Sequence, residues 1–362
     1  VPAYRVDVQR PCDVVEDILR IYGYNNVEIP SELKSSLTIA GDSDKDYKRE
    51  NLVGEQLVGE GFNEILNNSL TKTSYYDKDE LNKYPWAKTV KLMNPLSADL
   101  GVMRQTLLFG GLESIKRNIN RKAHNLKFFE VGNCYWFNEQ KHSPEAPIKA
   151  YTQDNHMALW VTGKRVEGSW AHPDEDSSVY ELKAYVENIF RRVGVPQGMF
   201  VEKTSDNNIF DKAITIENHG GKIIAEYGIV NHKILKSFDI EQQVFYADID
   251  WQALMKAVRK NKLEFKEISK FPAVSRDLAL LVDENVQFAQ IEEIARQTEK
   301  KLLKRVELFD VYTGDKLPSG KKSYAVNFIL QDENKTLNDK AIDAIMKKLI
   351  HQLTTKLKAE LR

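Results

Sequence analysis

Hydrophobic positions recur along this chain with two periods, one near 3.6 residues and one of two residues, which predict a mixture of helices and strands. Val14, Ile18 and Ile21 have the helical spacing and predict a helix that begins after Pro11. By the same criteria we predict further helices over 47–60 and 179–193 and from Trp251, and strands over 62–70, 126–137, 156–163, 213–217, 223–230 and 244–249.

The stretch 91–139 has the largest consequence for function. It contains a predicted break at Gly110 and Gly111, followed by a helix and then by the strand-like run 126–137. Its apolar positions are Leu107, Leu108, Leu112, Ile115 and Ile119. Such a layout is compatible with a nucleotide site and equally with plain hydrophobic core.

The order of elements up to about residue 268 indicates the fold class. Helices and strands follow one another without regular βαβ alternation, which favours an antiparallel sheet with helices on one side, an α+β domain. In the helix over 179–193, the side predicted to be buried carries Tyr180, Ala184, Ile189 and Val193.

The C-terminal part has a different order, which is βαββαβ and therefore ferredoxin-like. Its strands are predicted over 277–282, 306–312, 322–331 and 358–361, and its helices over 288–300 and 338–354. Thr336 and Asp339 have the spacing of a capping pair for the second helix. Tyr324 shares one strand face with Val326 and Phe328. That face either stacks on RNA bases or packs on the two helices.

Composition is that of a soluble globular protein with two or three domains: of 362 residues, 42% are hydrophobic and 29% are charged. No apolar run approaches the roughly 20 residues that a membrane-spanning helix needs. The start of the chain has no apolar signal-peptide core, so a cytoplasmic location without membrane contact is expected. Cys12 and Cys134 lack the spacing of a zinc site or a disulfide scaffold.

Net charge is −1, but the C-terminal part is basic. From Lys270 onward there are 17 lysines and arginines against 14 acidic residues. This balance of +3 is compatible with a nucleic-acid partner and too small to establish one. The chain begins at Val1 rather than at a methionine, which is consistent with a fragment.

Four acidic residues cluster near the first helix: Asp7, Asp13, Glu16 and Asp17. Asp13 is predicted to be the N-cap, with Glu16 three residues later as its capping-box partner. Acids at a helix N-terminus complement the helix dipole, so the cluster is explained by capping alone. The same spacing also suits a divalent cation, because Mg²⁺ requires only one or two carboxylates together with water.

Three separated motifs resemble one protein family. They are YRVDVQRPCDVVEDILRIYGYNNVEIP at the start, MNPLSADLGVMRQTLLFGGLESIKRNINR with LKFFEVGNCYW in the middle, and FPAVSRDLALLV with GKKSYAVNFILQDENKTLND at the end. Together they resemble the C-terminal half of the beta subunits of bacterial phenylalanine–tRNA ligases, over nearly the whole chain. The resemblance implies four segments: the tail of a small upstream domain over 1–30, a linker over 31–46, a class II synthetase catalytic-like domain over 47–268 and a ferredoxin-fold anticodon-binding domain over 269–362.

The resemblance also implies ligands for the acidic cluster. In the family, magnesium is bound at positions matching Asp7, Asp13, Glu16 and Asp17 and is shared with the alpha subunit; the fourth position is commonly Glu and is Asp here.

For the middle domain the resemblance implies that catalysis is absent. A class II catalytic site binds the ATP α-phosphate through an arginine, and that position falls on Phe128 or Trp136 here. No GxGxxxR motif, the source of a second arginine, occurs anywhere in the sequence. An aromatic ring cannot replace an arginine as a phosphate ligand, so no catalytic residue is assigned, and ATP is expected to be a substrate of the whole enzyme only.

At the C-terminal end, the resemblance implies contact with the anticodon stem and loop of tRNA(Phe). The candidate residues for this contact are Arg276, Tyr312, Lys321, Lys322 and Tyr324. Each also has a simpler interpretation: Arg276 can pair with a nearby carboxylate such as Asp277, and the two adjacent lysines can simply be solvated.

The function expected from these features is a non-catalytic part of phenylalanine–tRNA ligase that binds tRNA and assembles with the alpha subunit, as two alpha and two beta chains. Two alternatives remain open from the sequence: an autonomous, divergent class II-like ligase, and a stand-alone RNA-binding module. Self-association of the fragment is also plausible, because the surface that the alpha chain covers would be exposed. The editing domain is expected to lie outside this sequence.

Overall fold

The computed structural model describes residues 1–32, 35, 41–76, 83–261, 265, 267–314 and 317–362, without side chains at 42–45. The chain forms two compact units, Val1–Lys262 and Leu263–Arg362. Part of the predicted linker over 31–46 lies outside the described residues. Among the described residues, no helix has the length and apolar character needed to span a bilayer.

The first unit contains six α-helices, six short 3₁₀ helices and eleven strands among its described residues. The α-helices are α1 (Pro11–Tyr22), α2 (Asp42–Gly59), α3 (Leu108–Ile119), α4 (Val179–Arg192), α5 (His232–Ser237) and α6 (Trp251–Val258). The strands are β1 (Asn63–Glu64), β2 (Leu70–Thr71), β3 (Val102–Met103), β4 (Leu126–Phe137), β5 (Tyr151–Thr162), β6 (Lys164–Val166), β7 (Glu175–Asp176), β8 (Phe200–Ser205), β9 (Phe210–Asn218), β10 (Ile223–Val230) and β11 (Val244–Asp250).

A seven-stranded sheet organises this unit. Its strand order is β1-β4-β5-β11-β10-β9-β8, and every pairing is antiparallel except that of β1 with β4. Side chains alternate between two cores: Leu159 and Val161 of β5 face the first, and Ala158 and Trp160 face the second. The predicted α+β class with an antiparallel sheet is confirmed.

The predicted break at Gly110 and Gly111 is wrong, because α3 runs through both glycines. The reason is a close approach to the sheet. A Cβ atom built on Gly111 would lie 2.1 Å from Cε2 of Trp160, which is fully buried. Glycine therefore permits α3 to pack against the indole ring, and its role here is packing rather than termination of the helix.

The predicted buried side of α4 is also wrong in part. Tyr180 is 80% exposed, and Ala184 is exposed as well. The buried stripe consists of Leu182, Val186, Ile189 and Phe190. These positions follow the i, i+4, i+7, i+8 pattern. Their side chains present more apolar area than the predicted stripe of Tyr180, Ala184, Ile189 and Val193.

Two further expectations for this unit need correction. The predicted strand over 62–70 is only the two residues of β1, followed by irregular chain and then by β2. Strand β8 was not predicted, because four of its six side chains are exposed and it lies at the edge of the sheet. An edge strand that faces solvent lacks the apolar alternation used to recognise strands.

The second unit has the predicted βαββαβ order. Its elements are β12 (Val274–Asp283), α7 (Phe288–Thr298), β13 (Leu303–Tyr312), β14 (Lys321–Leu330), α8 (Asp339–Leu357) and β15 (Glu360–Leu361). The four strands form an antiparallel sheet in the order β13-β14-β12-β15. The N-cap of α8 is Asn338, whose side chain accepts a hydrogen bond from the Ala341 amide, and not Thr336 as predicted.

One face of this smaller sheet packs on the helices. Tyr324, Val326, Phe328 and Leu330 of β14 belong to a core that also contains Ile291 of α7 and Leu349 of α8. From the sequence, this strand face could either stack on RNA bases or pack on the helices. In the structure it packs on the helices.

Candidate functional site

The acidic residues near α1 are paired with arginines rather than with one another. The guanidinium of Arg5 contacts Asp7 at 3.0 Å and Asp17 at 3.1 Å. This hydrogen bond to Arg5 lowers the pKa of Asp7 below its usual value. Glu16 is exposed on the same helix.

Asp13 is in a different environment, and the prediction that it is the N-cap of α1 is wrong. The N-cap of α1 is Arg10, and Asp13 is the third helical residue. Its carboxylate accepts hydrogen bonds from the amides of Arg10 at 2.8 Å and Gln9 at 3.0 Å. These backbone bonds lower the pKa of Asp13. Asp13 therefore supplies the carboxylate half of a capping box, and Glu16 has no part in it.

This arrangement does not itself gather ligands for a cation. Within the described residues there is no group of three or more His, Cys, Asp or Glu side chains placed to hold a metal ion. Asp7 and Asp17 are joined through Arg5, whose positive charge stands where a shared cation would be needed. As the side chains lie, the four acids do not fit a metal centre.

Strand β4 carries the two aromatic residues at which a phosphate-binding arginine was sought. Phe128 is 6% exposed and belongs to the second core of the large sheet. Trp136 packs against the same core, with its ring 6.0 Å from that of Tyr84. Both rings fill space between the sheet and the segment that covers it, so this position presents apolar surface instead of a cation.

Arg104 lies close to the sheet face that carries Phe128 and Trp136, but Glu130 neutralises its charge. Arg104 Nη1 is 2.6 Å from Glu130 Oε1, and the side chains are 6% and 0% exposed. Arg104 also donates to the carbonyls of Asn133 at 3.0 Å and Asn67 at 3.3 Å. Both the backbone N–H and the side-chain amide of Asn67 donate hydrogen bonds to the carboxylate of Glu130. The guanidinium is thus held by protein groups and is not presented to a phosphate.

Gly132 makes this arrangement possible. A Cβ atom at this position of β4 would lie 2.2 Å from Arg104 Nη2. A glycine inside a strand commonly marks the close approach of another group, and here that group is the buried guanidinium.

Two further ion pairs lie on the same sheet face. His156 Nδ1 of β5 is 2.8 Å from Asp248 Oδ1 of β11, and both side chains are largely buried. Lys83 pairs with Glu226 of β10, which also accepts from Ser205 and Asn207. The charged groups of these pairs are therefore held by side chains of the same unit.

The surroundings of His156 and Asp248 favour the charged form of both side chains. Burial lowers the pKa of His156, but attraction to Asp248 and the hydrogen bond to it outweigh burial, so the pKa is raised above its ordinary value. Burial alone would raise the pKa of Asp248, and attraction to His156 reverses this, so the pKa is lowered. Opposite shifts of this kind are those of an imidazolium beside a carboxylate.

Stability should therefore fall as the pH rises through the raised pKa of His156. Its contribution is fully present below about pH 6.5, the ordinary value, and is lost as the imidazolium deprotonates. The contribution of Asp248 is present above about pH 3.9 and is lost only as the pH falls through its lowered pKa. Denaturant unfolding at pH 6 and pH 9 measures the difference.

Tryptophan fluorescence suits this measurement, because the tryptophans are Trp86, Trp136, Trp160, Trp170 and Trp251, all within the first unit. The His156→Gln variant combined with Asp248→Asn is the control and should lose the part of the pH dependence that the pair causes. An identical pH dependence in the wild type and this control would contradict a charged pair.

In the second unit, the candidate RNA-binding residues are divided between the two faces of the sheet. Arg276 pairs in register with Phe328, and Lys322 with Val282, which places both on the helical face. Lys321 and Tyr312 alternate with these positions and lie on the open face. One flat RNA surface cannot contact all of them, because adjacent strand residues point in opposite directions.

Several of these side chains are already engaged. Lys321 pairs with Glu360, and the hydrogen bond raises the pKa of its ammonium group. Arg276 is 3.7 Å from Asp339, a different carboxylate from the Asp277 considered above. Tyr312 is 36% exposed, with the guanidinium of Arg362 over its ring at 5.5 Å.

Tyr324 does not fit the predicted set of RNA-binding residues. Its ring is 7% exposed within the core, and its hydroxyl donates to the carbonyl of Val286 at 3.1 Å. Lys322 lies over the ring at 4.9 Å. A nucleic-acid base cannot stack on this ring while the core is closed.

Sequence reasoning missed two features of these surfaces. The three ion pairs described above, Arg104–Glu130, His156–Asp248 and Lys83–Glu226, join residues 26, 92 and 143 positions apart, so no local pattern reveals them. The other feature is a basic cleft between α7 and α8, lined by Gln297, Thr298, Lys348, His351, Gln352 and Lys356. A local signal for the cleft existed: from 344 to 358, α8 and the residue after it contain four lysines, one histidine and no acid.

Comparison with known families gives three matches along the chain. The profile described as tRNA synthetase B5 domain matches residues 1–24. The profile described as Phenylalanyl tRNA synthetase beta chain CLM domain matches 29–251, and that described as Ferredoxin-fold anticodon binding domain matches 269–362. The last range coincides with the βαββαβ unit.

Curated relatives agree with these matches. The phenylalanine–tRNA ligase beta subunits of Bacteroides fragilis and Porphyromonas gingivalis are 63% and 51% identical to this chain over all 362 residues. The chain spans 44% of the length of each of these relatives. A solved structure of pyrrolysyl-tRNA synthetase from Desulfitobacterium hafniense aligns with this chain at 13% sequence identity and a TM-score of 0.43. The alignment covers 61% of this chain and 74% of the synthetase chain. That structural likeness is too distant to bear on function.

Proposed function

Since this chain belongs to the phenylalanyl-tRNA synthetase beta chain family, we propose that it acts as part of a phenylalanine–tRNA ligase, the enzyme that attaches phenylalanine to tRNA(Phe) using ATP. In this proposal the chain binds tRNA through its C-terminal unit and assembles with a catalytic alpha subunit. The 100% coverage of the chain by relatives of this name is the observation that carries the proposal.

The C-terminal unit supports the tRNA-binding part. It has the ferredoxin-like βαββαβ order and matches the anticodon-binding family over its whole length. Its candidate contacts are the open-face pair, Tyr312 and Lys321, and the helical-face pair, Arg276 and Lys322. Phosphate contacts would set the affinity, and a base stacked on Tyr312 would add about 1–3 kcal/mol.

The first unit supports the non-catalytic part. Phe128 and Trp136 present rings where an ATP phosphate would need a cation, and Arg104 is bound to Glu130. Its role in the proposal is that of a scaffold and of a surface for the alpha chain, in an assembly of two alpha and two beta chains. A cytoplasmic location follows from the same proposal, because aminoacylation supplies protein synthesis.

Magnesium binding by this chain would require the acidic side chains near α1 to rearrange. Binding at Asp7, Asp13, Glu16 and Asp17 would require Arg5 to release two carboxylates and would withdraw Asp13 from the helix cap. Contact with an alpha chain is the event that could supply this rearrangement. No step of the function is therefore assigned to the metal in this chain.

Binding of tRNA by the purified chain tests the proposal. We expect a tRNA(Phe) transcript to bind with an affinity that falls linearly on a plot of log K against log salt, because phosphate contacts release counterions. Fluorescence anisotropy of labelled tRNA at several salt concentrations measures both quantities. Absence of tRNA binding at low salt would contradict the proposed function.

A further inference from the structure

The C-terminal unit has a basic cleft on its helical side. The end of α7 and the second half of α8 enclose a space of about 420 Å³, lined by Gln297, Thr298, Lys348, His351, Gln352 and Lys356. All six side chains are polar, and two are lysines. The cleft lies outside the set of residues that the sequence indicated for tRNA contact.

The lysines of the cleft differ from Lys321 on the sheet. Within the described residues, neither Lys348 nor Lys356 forms an ion pair, whereas Lys321 is paired with Glu360. The carboxylate closest to the lining by hydrogen bonding is Glu293, which accepts from Gln297 at 3.0 Å. The lysine charges of the cleft are thus available to an anion.

Ordinary helix electrostatics explains only part of this charge. Lys356 lies in the last turn of α8, where a cation complements the helix dipole. Lys348 and His351 lie further from that end, beyond the last turn where this effect acts. The helix dipole therefore does not account for Lys348 and His351.

Spacing identifies the kind of anion. Lys348, His351, Gln352 and Lys356 follow the i, i+3, i+4, i+8 pattern and lie along one side of α8. Eight residues at 1.5 Å each place the two lysines about 12 Å apart along the axis. Lysines with this spacing can contact separate phosphates of one polyanion.

Composition of the lining identifies the contact further. Interfaces between proteins have apolar and aromatic centres, and those with nucleic acids are more polar and more positively charged. The lining of this cleft has amides, a hydroxyl, ammonium groups and the imidazole of His351, and it contains no apolar side chain.

We propose that the α7–α8 cleft binds the phosphate backbone of the tRNA, and that this contact is independent of base sequence. The inference rests on the proposed function, because it names the surface through which this unit holds RNA. Lys348 and Lys356 neutralise separate phosphates, and the side-chain amides of Gln352 and Gln297 donate hydrogen bonds to backbone oxygens, whereas the Thr298 hydroxyl already donates to the carbonyl of Ile294 at 2.7 Å. The cleft contributes affinity and orientation, while base recognition is left to other residues.

The experiment uses the whole chain and two matched double variants. Lys348→Ala with Lys356→Ala removes the two lysines of the cleft. Lys335→Ala with Lys340→Ala removes the same charge from exposed positions outside the lining, before α8 and in its first turn. Far-UV circular dichroism and thermal unfolding verify that both variants are folded.

We expect the cleft variant to bind tRNA(Phe) about tenfold more weakly near 0.1 M salt, with a salt slope smaller by roughly 1–2 units. The control variant should lose much less, because charges outside the contact are screened within about 10 Å. The loss should be the same for a tRNA with an altered anticodon. Equal binding by the cleft and control variants, with the wild type binding normally, would overturn the cleft alone. A wild type that binds no tRNA would overturn the proposed function together with it.

Discussion

Arg104→Met should destabilise the first unit by about 3–5 kcal/mol. The substitution leaves Glu130, which is fully buried, as a carboxylate without its cation, and a broken buried ion pair costs this much. It also removes donors from the carbonyls of Asn133 and Asn67, which connect β4 to the chain after β1. Denaturant unfolding followed by tryptophan fluorescence measures the effect, because the tryptophans lie in this unit.

The double variant Arg104→Met with Glu130→Leu is the matched control. It removes both charges together and should recover most of the stability, since apolar residues can replace a buried ion pair with little loss. Asn67 would retain its contact with Ser114 at 2.9 Å but lose its carboxylate acceptor, so recovery should be incomplete. If the single and double variants were equally unstable, the loss would come from packing and not from the unpaired charge.

The elements that could be predicted from the sequence are those whose pattern is local and strong. Strand β4, the helix after Pro11 and the βαββαβ order follow from apolar periodicity, and the structure has them. Gly111 shows where this reasoning ends. A glycine pair in a sequence indicates a break, whereas its actual role depends on Trp160, which reaches it only through the tertiary fold.

The candidate sites follow the same division. The charge excess of the C-terminal part and the missing arginine at Phe128 and Trp136 are visible in the sequence. The pairing of Arg104 with Glu130 is not, because it requires β4 and the chain after β3 to be adjacent. Tyr324 was misplaced for a related reason: alternation shows which residues share a strand face, but the position of the helices determines which face is buried.

The acidic cluster illustrates a third limit. Its residues suit a metal by type and spacing, yet their partners are Arg5 and the amides of Gln9 and Arg10. Both arrangements use the same carboxylates, and spacing along the chain cannot distinguish them.

We propose that this chain binds RNA and does not itself activate an amino acid. Activation requires cations aimed at the ATP phosphates to stabilise the charge of the transition state. The family resemblance puts one such cation at Phe128 or Trp136, whose rings pack in the second core, and the guanidinium of Arg104 is held by Glu130. Loss of a single stabilising group of this kind costs about 10²–10³ in rate, and here more than one such group is replaced.

Phenylalanine-dependent exchange of labelled pyrophosphate into ATP tests this claim most directly. The purified chain is assayed alone with magnesium, and a complete phenylalanine–tRNA ligase serves as the positive control. We predict exchange at the background rate for this chain, with and without phenylalanine. Phenylalanine-dependent exchange above background, catalysed by the chain alone, would contradict the account.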